Sequence, residues 1–181
     1  MANQDNFLEN GNIEVTCVVD EQKIISLKKF IILSIISFGL YGVWWIYKAW
    51  KFYQQKEKPN INPALYTIFS IFFLISLFKK VLGFAKAKGY KYSYPTILLF
   101  VGFVGTNLLV KLPDPFWLIA ILSFVFLIPP FQAFNFAKRN SSEFIVIEQT
   151  SYSGRQIAII VIGAIFWILV LFGMIVTNDI L

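Results

Sequence analysis

The sequence contains no histidine and a single cysteine, Cys17. Without imidazole, the chain lacks the commonest general base, the usual zinc ligand and the catalytic triads that depend on histidine. One cysteine can form neither a disulfide within the chain nor a thiolate metal cluster. These absences argue against zinc-dependent and triad-based enzymes, and the sequence predicts no cofactor.

Charged residues are also scarce. Only 14% of the 181 residues are charged and 57% are hydrophobic, whereas soluble domains carry about 25% charged residues. This composition is typical of a protein solvated by lipid. The net charge of +6 comes from lysines that lie beside apolar segments. It therefore indicates orientation in an anionic membrane rather than nucleic-acid binding.

Five uncharged stretches follow a polar segment of residues 1–29. They cover residues 30–47, 59–78, 92–110, 116–137 and 156–178, before a tail of residues 179–181. A helix of about 20 residues spans a hydrocarbon core of about 30 Å. The sequence therefore predicts an all-α membrane protein, a bundle of about five hydrophobic helices. Residues 1–29 do not resemble a signal peptide, and residues 13–19 predict a short strand.

The first stretch carries Gly39 and Gly42, so it either crosses the membrane or is broken or re-entrant there. Five crossings would place 11 lysines and arginines on one face and 5 on the other, whereas re-entrance of the first two stretches gives 15 against 1. Residues 59–78 are nevertheless apolar on every face, which favours five crossings. Either arrangement puts the N-terminus in the cytoplasm and the C-terminus outside.

Aromatic residues and lysines alternate within residues 37–58. Rings with one polar edge settle at the level of lipid headgroups, and lysine buries its stem while its ammonium stays in water. We therefore expect Trp45, Tyr47 and Trp50 at headgroup depth.

Residues 37–48, which read SFGLYGVWWIYK, resemble the signature of a bacterial multi-spanning membrane family of unknown function. Its members typically read Thr-x-Gly-x-Tyr-Gly-x-x-Trp-x-Tyr-Lys. The matching residues are Gly39, Tyr41, Gly42, Trp45, Tyr47 and Lys48, while Ser37 replaces the usual threonine. The resemblance implies a bacterial inner membrane and several helices, and it brings no activity. The two glycines mark a helix end, a kink or a binding site.

The fourth stretch contains Pro129 and Pro130. Because proline has no amide proton, the carbonyls of Val125 and Phe126 should lose their helical partners, and the helix should bend by more than about 20°.

Three amide side chains lie near this break. Gln132 and Asn135 follow the prolines, and Asn107 is on the preceding helix. They could form a small polar site within the membrane, or they could satisfy the broken backbone and join helices. Gly163 with Ala164 offers a flat patch for helix contact.

Five lysines follow the second stretch, namely Lys79, Lys80, Lys86, Lys88 and Lys91. A lysine close to an anionic membrane surface contributes about 1 kcal/mol to binding. The cluster is a determinant of orientation, or it contacts anionic lipid headgroups or an acidic partner.

The second to fifth stretches contain no charged residue, which argues against ion-coupled transporters. We expect a non-enzymatic inner-membrane protein that binds or scaffolds through lipid or protein contacts. Its partners would be the lipid bilayer, a membrane protein or further copies of itself. The alternative is a small channel or uncoupled transporter, which would need to be an oligomer. A lipid-modifying enzyme is the third reading, and no acid–base pair in the membrane supports it.

Overall fold

The computed structural model describes residues 21–57, 62–113 and 115–178, and the chain there is mostly helical. The strand expected at residues 13–19 and the tail of residues 179–181 lie outside the described residues. The α-helices are α1 (Leu27–Ile36), α2 (Leu40–Glu57), α3 (Pro63–Ile68), α4 (Ser70–Ala87), α5 (Thr96–Leu108), α6 (Ile128–Arg139) and α7 (Gly154–Asn178). Two 3₁₀ helices cover Leu109–Lys111 and Phe116–Leu127, and two strands are β1 (Gln22–Ile24) and β2 (Val146–Glu148).

Within the described parts of the chain, two helical segments are long and apolar enough to cross a membrane. They are Phe116–Arg139, with 24 residues, and Gly154–Val176, with 23 residues. Most side chains of α7 are exposed, including Ile162, Ile168 and Phe172. A helix that is apolar on every face and has little protein cover is suited to hydrocarbon rather than to water.

The first apolar stretch is not one helix. Phe38 (φ 53°) and Gly39 (φ 83°) adopt left-handed backbone conformations between α1 and α2. The ring of Phe30 lies 6.1 Å from the ring of Tyr41 and 6.3 Å from that of Trp45. Each residue of a straight helix adds about 1.5 Å to its length, so these rings would be far apart in one continuous helix. They meet only because the chain doubles back. Helices α1 and α2 therefore form a hairpin with Phe38 at its tip. Of the alternatives stated for this stretch, the structure has the break near Gly39.

The second apolar stretch is broken as well, although neither glycine nor proline lies at the break. Phe69 (φ −90°, ψ 33°) interrupts the helix between α3 and α4. The rings of Tyr66 and Phe73 stack with centroids 4.1 Å apart, whereas seven residues of straight helix span about 10.5 Å. The chain therefore bends at Phe69. The expectation of one uninterrupted apolar helix over residues 59–78 is wrong.

The basic links of the chain meet at one end of the molecule. Lys56, in the last turn of α2, lies 2.9 Å from one carboxylate oxygen of Glu143. Lys88, which follows α4, lies 2.7 Å from the other oxygen. Groups that form an ion pair are on the same side of any bilayer. Five crossings would separate residues 48–58 from residues 138–155, so these ion pairs do not support that expectation, which stays a prediction. We call the end that holds Lys56, Lys88 and Glu143 the basic end.

A short parallel sheet lies at the basic end. Gln22 pairs with Val146 and Ile24 with Glu148, so β1 lies beside β2. The ammonium of Lys29 donates to the carbonyl of Gln149 over 2.8 Å. Helix α1 therefore starts next to the link that leads into α7.

Helix α1 then runs along α7 at close range. A Cβ atom at Gly163 would lie 2.3 Å from the carbonyl oxygen of Ile36, so only glycine permits this approach. The indole nitrogen of Trp167 donates to the carbonyl of Ile35 over 3.3 Å. At the hairpin tip, the ring of Phe38 stacks on Trp167 with a centroid distance of 4.6 Å. The contact patch expected at Gly163 is confirmed.

The fourth stretch changes helix type at the proline pair. The 3₁₀ helix ends at Leu127, and Pro129 and Pro130 lie in the first turn of α6. Proline is tolerated there because first-turn amides have no partner within the helix. The amide of Ile128 donates to the carbonyl of Val125, so the expected loss of a partner for Val125 is wrong. The bend expected near Pro129 stays a prediction.

Candidate functional site

The six signature residues lie on opposite faces of the α1–α2 hairpin. Tyr41, Gly42 and Trp45 face the protein core, whereas Lys48 is exposed and Tyr47 is half-buried. The Tyr41 hydroxyl accepts from the side-chain amide of Gln156 over 3.0 Å. A Cβ atom at Gly42 would lie 2.8 Å from a methyl carbon of Leu127.

Ser37 and Gly39 shape the turn itself. The amide of Tyr41 donates to the Ser37 hydroxyl over 2.9 Å, which caps the start of α2. A threonine hydroxyl could make the same bond, so the departure at Ser37 from the family pattern preserves the cap. Gly39 adopts the left-handed conformation that glycine tolerates best. The signature therefore builds the turn and packs the hairpin.

The aromatic residues of residues 37–58 are divided between the same two faces. Trp45 and Trp50 are buried, with 7% and 2% of their surfaces exposed, which removes them from contact with lipid headgroups. On the outer face, the rings of Trp44 and Tyr47 stack at 5.3 Å. The ammonium of Lys48 lies 5.6 Å from the Trp44 ring. The outer face of α2 therefore carries Trp44, Lys48 and the half-buried Tyr47. The placement of Trp45, Tyr47 and Trp50 at headgroup depth stays a prediction.

A cavity of about 600 Å³ lies at the basic end, between the start of α1, the link from α4 to α5, and α6. Its polar lining includes Ser26, Tyr90, Tyr92, Gln132, Asn135 and Arg139. We call this space the amide cavity. The structure therefore brings together two of the three amides expected to form a polar site.

The two amides differ in their bonding. The side-chain nitrogen of Asn135 donates to the carbonyl of Ile25 over 3.0 Å, which holds the start of α1 against α6. The side chain of Gln132 is exposed, and within the described parts of the chain it has no hydrogen-bond partner. Asn135 therefore joins α1 to α6, whereas the Gln132 amide has no such structural bond among the described residues.

Asn107 does not belong to this site. Its side-chain nitrogen donates to the carbonyl of Phe103 over 2.8 Å, within its own helix. It lies near the end of α5, beyond the contact between Gly102 and Phe126. Gln132 lies on the other side of that contact, toward the basic end. The expected grouping of Asn107 with Gln132 and Asn135 is therefore wrong.

The phenols and the guanidinium complete the amide cavity. Desolvation, and then the neighbouring Tyr92, raise the pKa of Tyr90, so its hydroxyl stays protonated at neutral pH. Arg139 pairs with Glu148 over 2.8 Å. The lining thus offers amide and phenol groups and one partly neutralised cation. Sequence analysis missed Arg139, although its place one turn after Asn135 puts both side chains on one helix face.

The five lysines of the expected cluster separate into paired and unpaired groups. Lys80 forms an ion pair with Glu57, and Lys88 pairs with Glu143. Lys79, Lys86 and Lys91 are exposed. The pKa of Glu143 is lowered, first by the hydrogen bond from Lys88 and then by that from Lys56. Sequence analysis missed Glu143, and its position in a link that also carries Lys138, Arg139 and Arg155 was the available signal.

The described residues contain no cluster of three or more side chains that could hold a metal ion. Comparison of the chain with family models, curated proteins and solved structures finds no match. The resemblance at residues 37–48 accordingly stays an expectation.

Proposed function

We propose that the chain is a multi-pass protein of the bacterial inner membrane, with its basic end in the cytoplasm, and that it works by binding rather than by catalysis. Residues 96–111, 116–139 and 154–176 would cross the bilayer. The α1–α2 hairpin and the bent α3–α4 pair would enter from the cytoplasmic side and return. The N-terminus is then cytoplasmic and the C-terminus extracytoplasmic.

The double ion pair of Glu143 with Lys56 and Lys88 carries this topology, because it joins three basic links at one end. The sequence then has 15 lysines and arginines in cytoplasmic segments and only Lys111 outside, which follows the positive-inside rule. The exposed residues Ile68, Phe69 and Phe72 at the α3–α4 bend supply an apolar tip suited to the hydrocarbon.

Cysteine labelling tests the topology. Starting from Cys17→Ser, the variants Gln55→Cys and Ser142→Cys are labelled in intact cells with a membrane-impermeant maleimide. We expect protection at both positions and reaction at both after permeabilisation. Leu112→Cys, in the link that would face outward, should react in intact cells and serves as the positive control. Reaction of Gln55→Cys in intact cells would show that the first two stretches cross.

The amide cavity is the proposed binding site. Its volume of about 600 Å³ lies within the range of about 300–1,000 Å³ that is usual for ligand sites. Its neutral amides and phenols can donate and accept hydrogen bonds, as a peptide backbone or a similar polar ligand requires. The unpartnered Gln132 amide at the cavity supports a binding role for it.

Site-specific crosslinking tests binding at this cavity. A photoreactive residue replaces Gln132 in one variant and Asn107 in a matched control, since both side chains are exposed. We expect a discrete adduct at position 132 in intact cells. The variant Ser26→Trp fills the cavity without changing position 132, and it should abolish this adduct. An adduct of twice the chain mass would identify a second copy as the partner. Equal crosslinking at both positions would reject the cavity as the binding site.

A further inference from the structure

We propose that a groove between α4 and the start of α5 holds one anionic phospholipid. The groove has a volume of about 460 Å³, and Lys79, Gly83, Lys86, Pro95, Thr96 and Ile97 line it. We call it the lipid groove. This inference rests on the membrane placement proposed above, and it names a ligand class for a site separate from the amide cavity.

The cations of the lipid groove are not neutralised by protein groups. Lys79 and Lys86 are seven residues apart, so both lie on one face of α4, about 10.5 Å apart along its axis. Neither forms an ion pair or hydrogen bond with any residue that the structure describes, whereas Lys80 pairs with Glu57 and Lys88 with Glu143. No carboxylate is among the lining residues. The groove therefore has positive charge available for a phosphate.

The start of α5 adds positive partial charge to that of the two lysines. The helix begins at Thr96 after Pro95, and no side chain caps it. First-turn amides have no acceptor within the helix and carry the positive end of the helix dipole. Thr96 and Ile97 line the groove, so these amides lie beside the two lysines. This arrangement complements a headgroup with a net negative charge better than a zwitterionic one, whose ammonium group the two lysines repel.

The rest of the lipid groove is apolar and open. Gly83 forms part of the wall, and a Cβ atom there would meet no heavy atom within 4 Å. Leu82, Pro95 and Ile97 contribute hydrocarbon surface, and Leu98 and Val101 continue an exposed apolar surface along α5. An acyl chain fits this surface, which distinguishes a phospholipid from a soluble anion.

The position of the groove along both helices matches headgroup depth. In α4 the apolar sequence ends at Phe78 and lysines begin at Lys79, while the apolar sequence of α5 begins after Tyr94. The Tyr94 hydroxyl donates to the Phe78 carbonyl over 2.9 Å and joins the two helices at this level. Phosphate groups occupy the same boundary between hydrocarbon and water.

Native mass spectrometry of the detergent-purified full chain tests the proposal, with phosphatidylglycerol and phosphatidylcholine as probes. We expect one phosphatidylglycerol to be retained preferentially. The double variant Lys79→Gln/Lys86→Gln should weaken its binding by about thirtyfold, the combined effect of two lysines near an anionic headgroup. The control Lys91→Gln/Lys111→Gln removes the same charge outside the groove and should keep the preference.

A second pair of variants tests the shape of the groove without changing charge. Gly83→Leu places a side chain in the open space and should abolish the retained lipid. Gly105→Leu, where a Cβ atom also meets no heavy atom within 4 Å, should leave it bound. Thermal unfolding and size-exclusion profiles are compared so that loss of binding is read only from folded variants.

Three results would overturn the proposal. They are equal retention of the two lipids, an equal effect of both lysine double variants, and displacement of the lipid by millimolar inorganic phosphate, which would indicate a simple anion site. These outcomes are independent of the proposed topology. Reaction of Gln55→Cys in intact cells would reject the topology while leaving the lipid measurements to stand on their own.

Discussion

Glu143 joins two helices at the basic end through a single carboxylate. Hydrogen bonds from Lys88 and Lys56 lower its pKa in the folded protein, relative to about 4.3 in an unfolded chain. The stabilisation is therefore complete above about pH 4.3 and is lost as the pH falls through the lower folded value. Because 45% of the side chain is exposed, each pair should contribute no more than about 0.5 kcal/mol.

We therefore expect Glu143→Gln to lower the free energy of unfolding by about 0.5–1 kcal/mol at pH 7. The difference from wild type should shrink on acidification below about pH 4. Thermal unfolding in detergent at a series of pH values measures this. Glu148→Gln, which removes a single and more exposed pair with Arg139, is the control and should have a smaller effect. A constant difference from pH 7 to pH 3 would contradict the ion-pair explanation.

The two amides of the amide cavity should respond differently to substitution. Asn135→Leu removes the hydrogen bond to the Ile25 carbonyl, and we expect a loss of about 0.6 kcal/mol, the average for such bonds within membrane proteins. Gln132→Leu should leave the free energy of unfolding nearly unchanged, because Gln132 is exposed. Denaturation of both variants in the same detergent gives the two free energies of unfolding to be compared. Equal losses would mean that Gln132 also has a structural role.

At the scale of elements, the contact between α1 and α7 depends on Gly163. A methyl group there would meet the backbone of Ile36 at 2.3 Å, and the backbone cannot move aside as a flexible side chain can. Gly163→Ala should therefore destabilise the fold by about 1–3 kcal/mol, as overpacking commonly does. Gly105→Ala has open space at its Cβ position and is the matched control. Thermal unfolding of the two alanine variants measures this difference. Equal stability of the two would contradict the close approach of α1 and α7.

The breaks within elements were only partly predictable from the sequence. Gly39 signalled the first break because a left-handed turn favours glycine. The second break lies at Phe69, and no local signal marks it. It accompanies the ring contacts of Tyr66 with Trp50, at 4.8 Å, and with Phe73, at 4.1 Å. Such contacts depend on how distant segments pack, which a search for apolar periodicity does not detect.

The candidate site was predictable to a similar extent. Gln132 and Asn135 were found because polar side chains after a proline pair are unusual in an apolar segment. Asn107 was grouped with them only because it too is an amide in an apolar helix, and its amide bonds within its own turn. Distance along the sequence could not show that it lies near the far end of α5.

For the whole molecule, the proposed topology predicts the activity of reporter fusions. Alkaline phosphatase, which is active only outside the cytoplasm, is fused after Leu112, after Ser141 or at the C-terminus. We expect activity for the first and third fusions and none for the second, because 96–111 and 154–176 would lead outward and 116–139 inward. Activity of the fusion after Ser141 would contradict the placement of the basic end in the cytoplasm. Immunoblotting for fusion abundance provides the control.

The pairing of β1 with β2 also sets an order of events during biosynthesis. Lys29 contacts the carbonyl of Gln149, 120 positions later, and at about 5–20 residues per second the ribosome needs about 6–24 s to make that length. The α1–α2 hairpin thus leaves the ribosome long before Trp167, which covers its tip, exists. During that interval, Phe38 lacks the ring contact that Trp167 later provides, and exposed apolar surface of this kind favours aggregation.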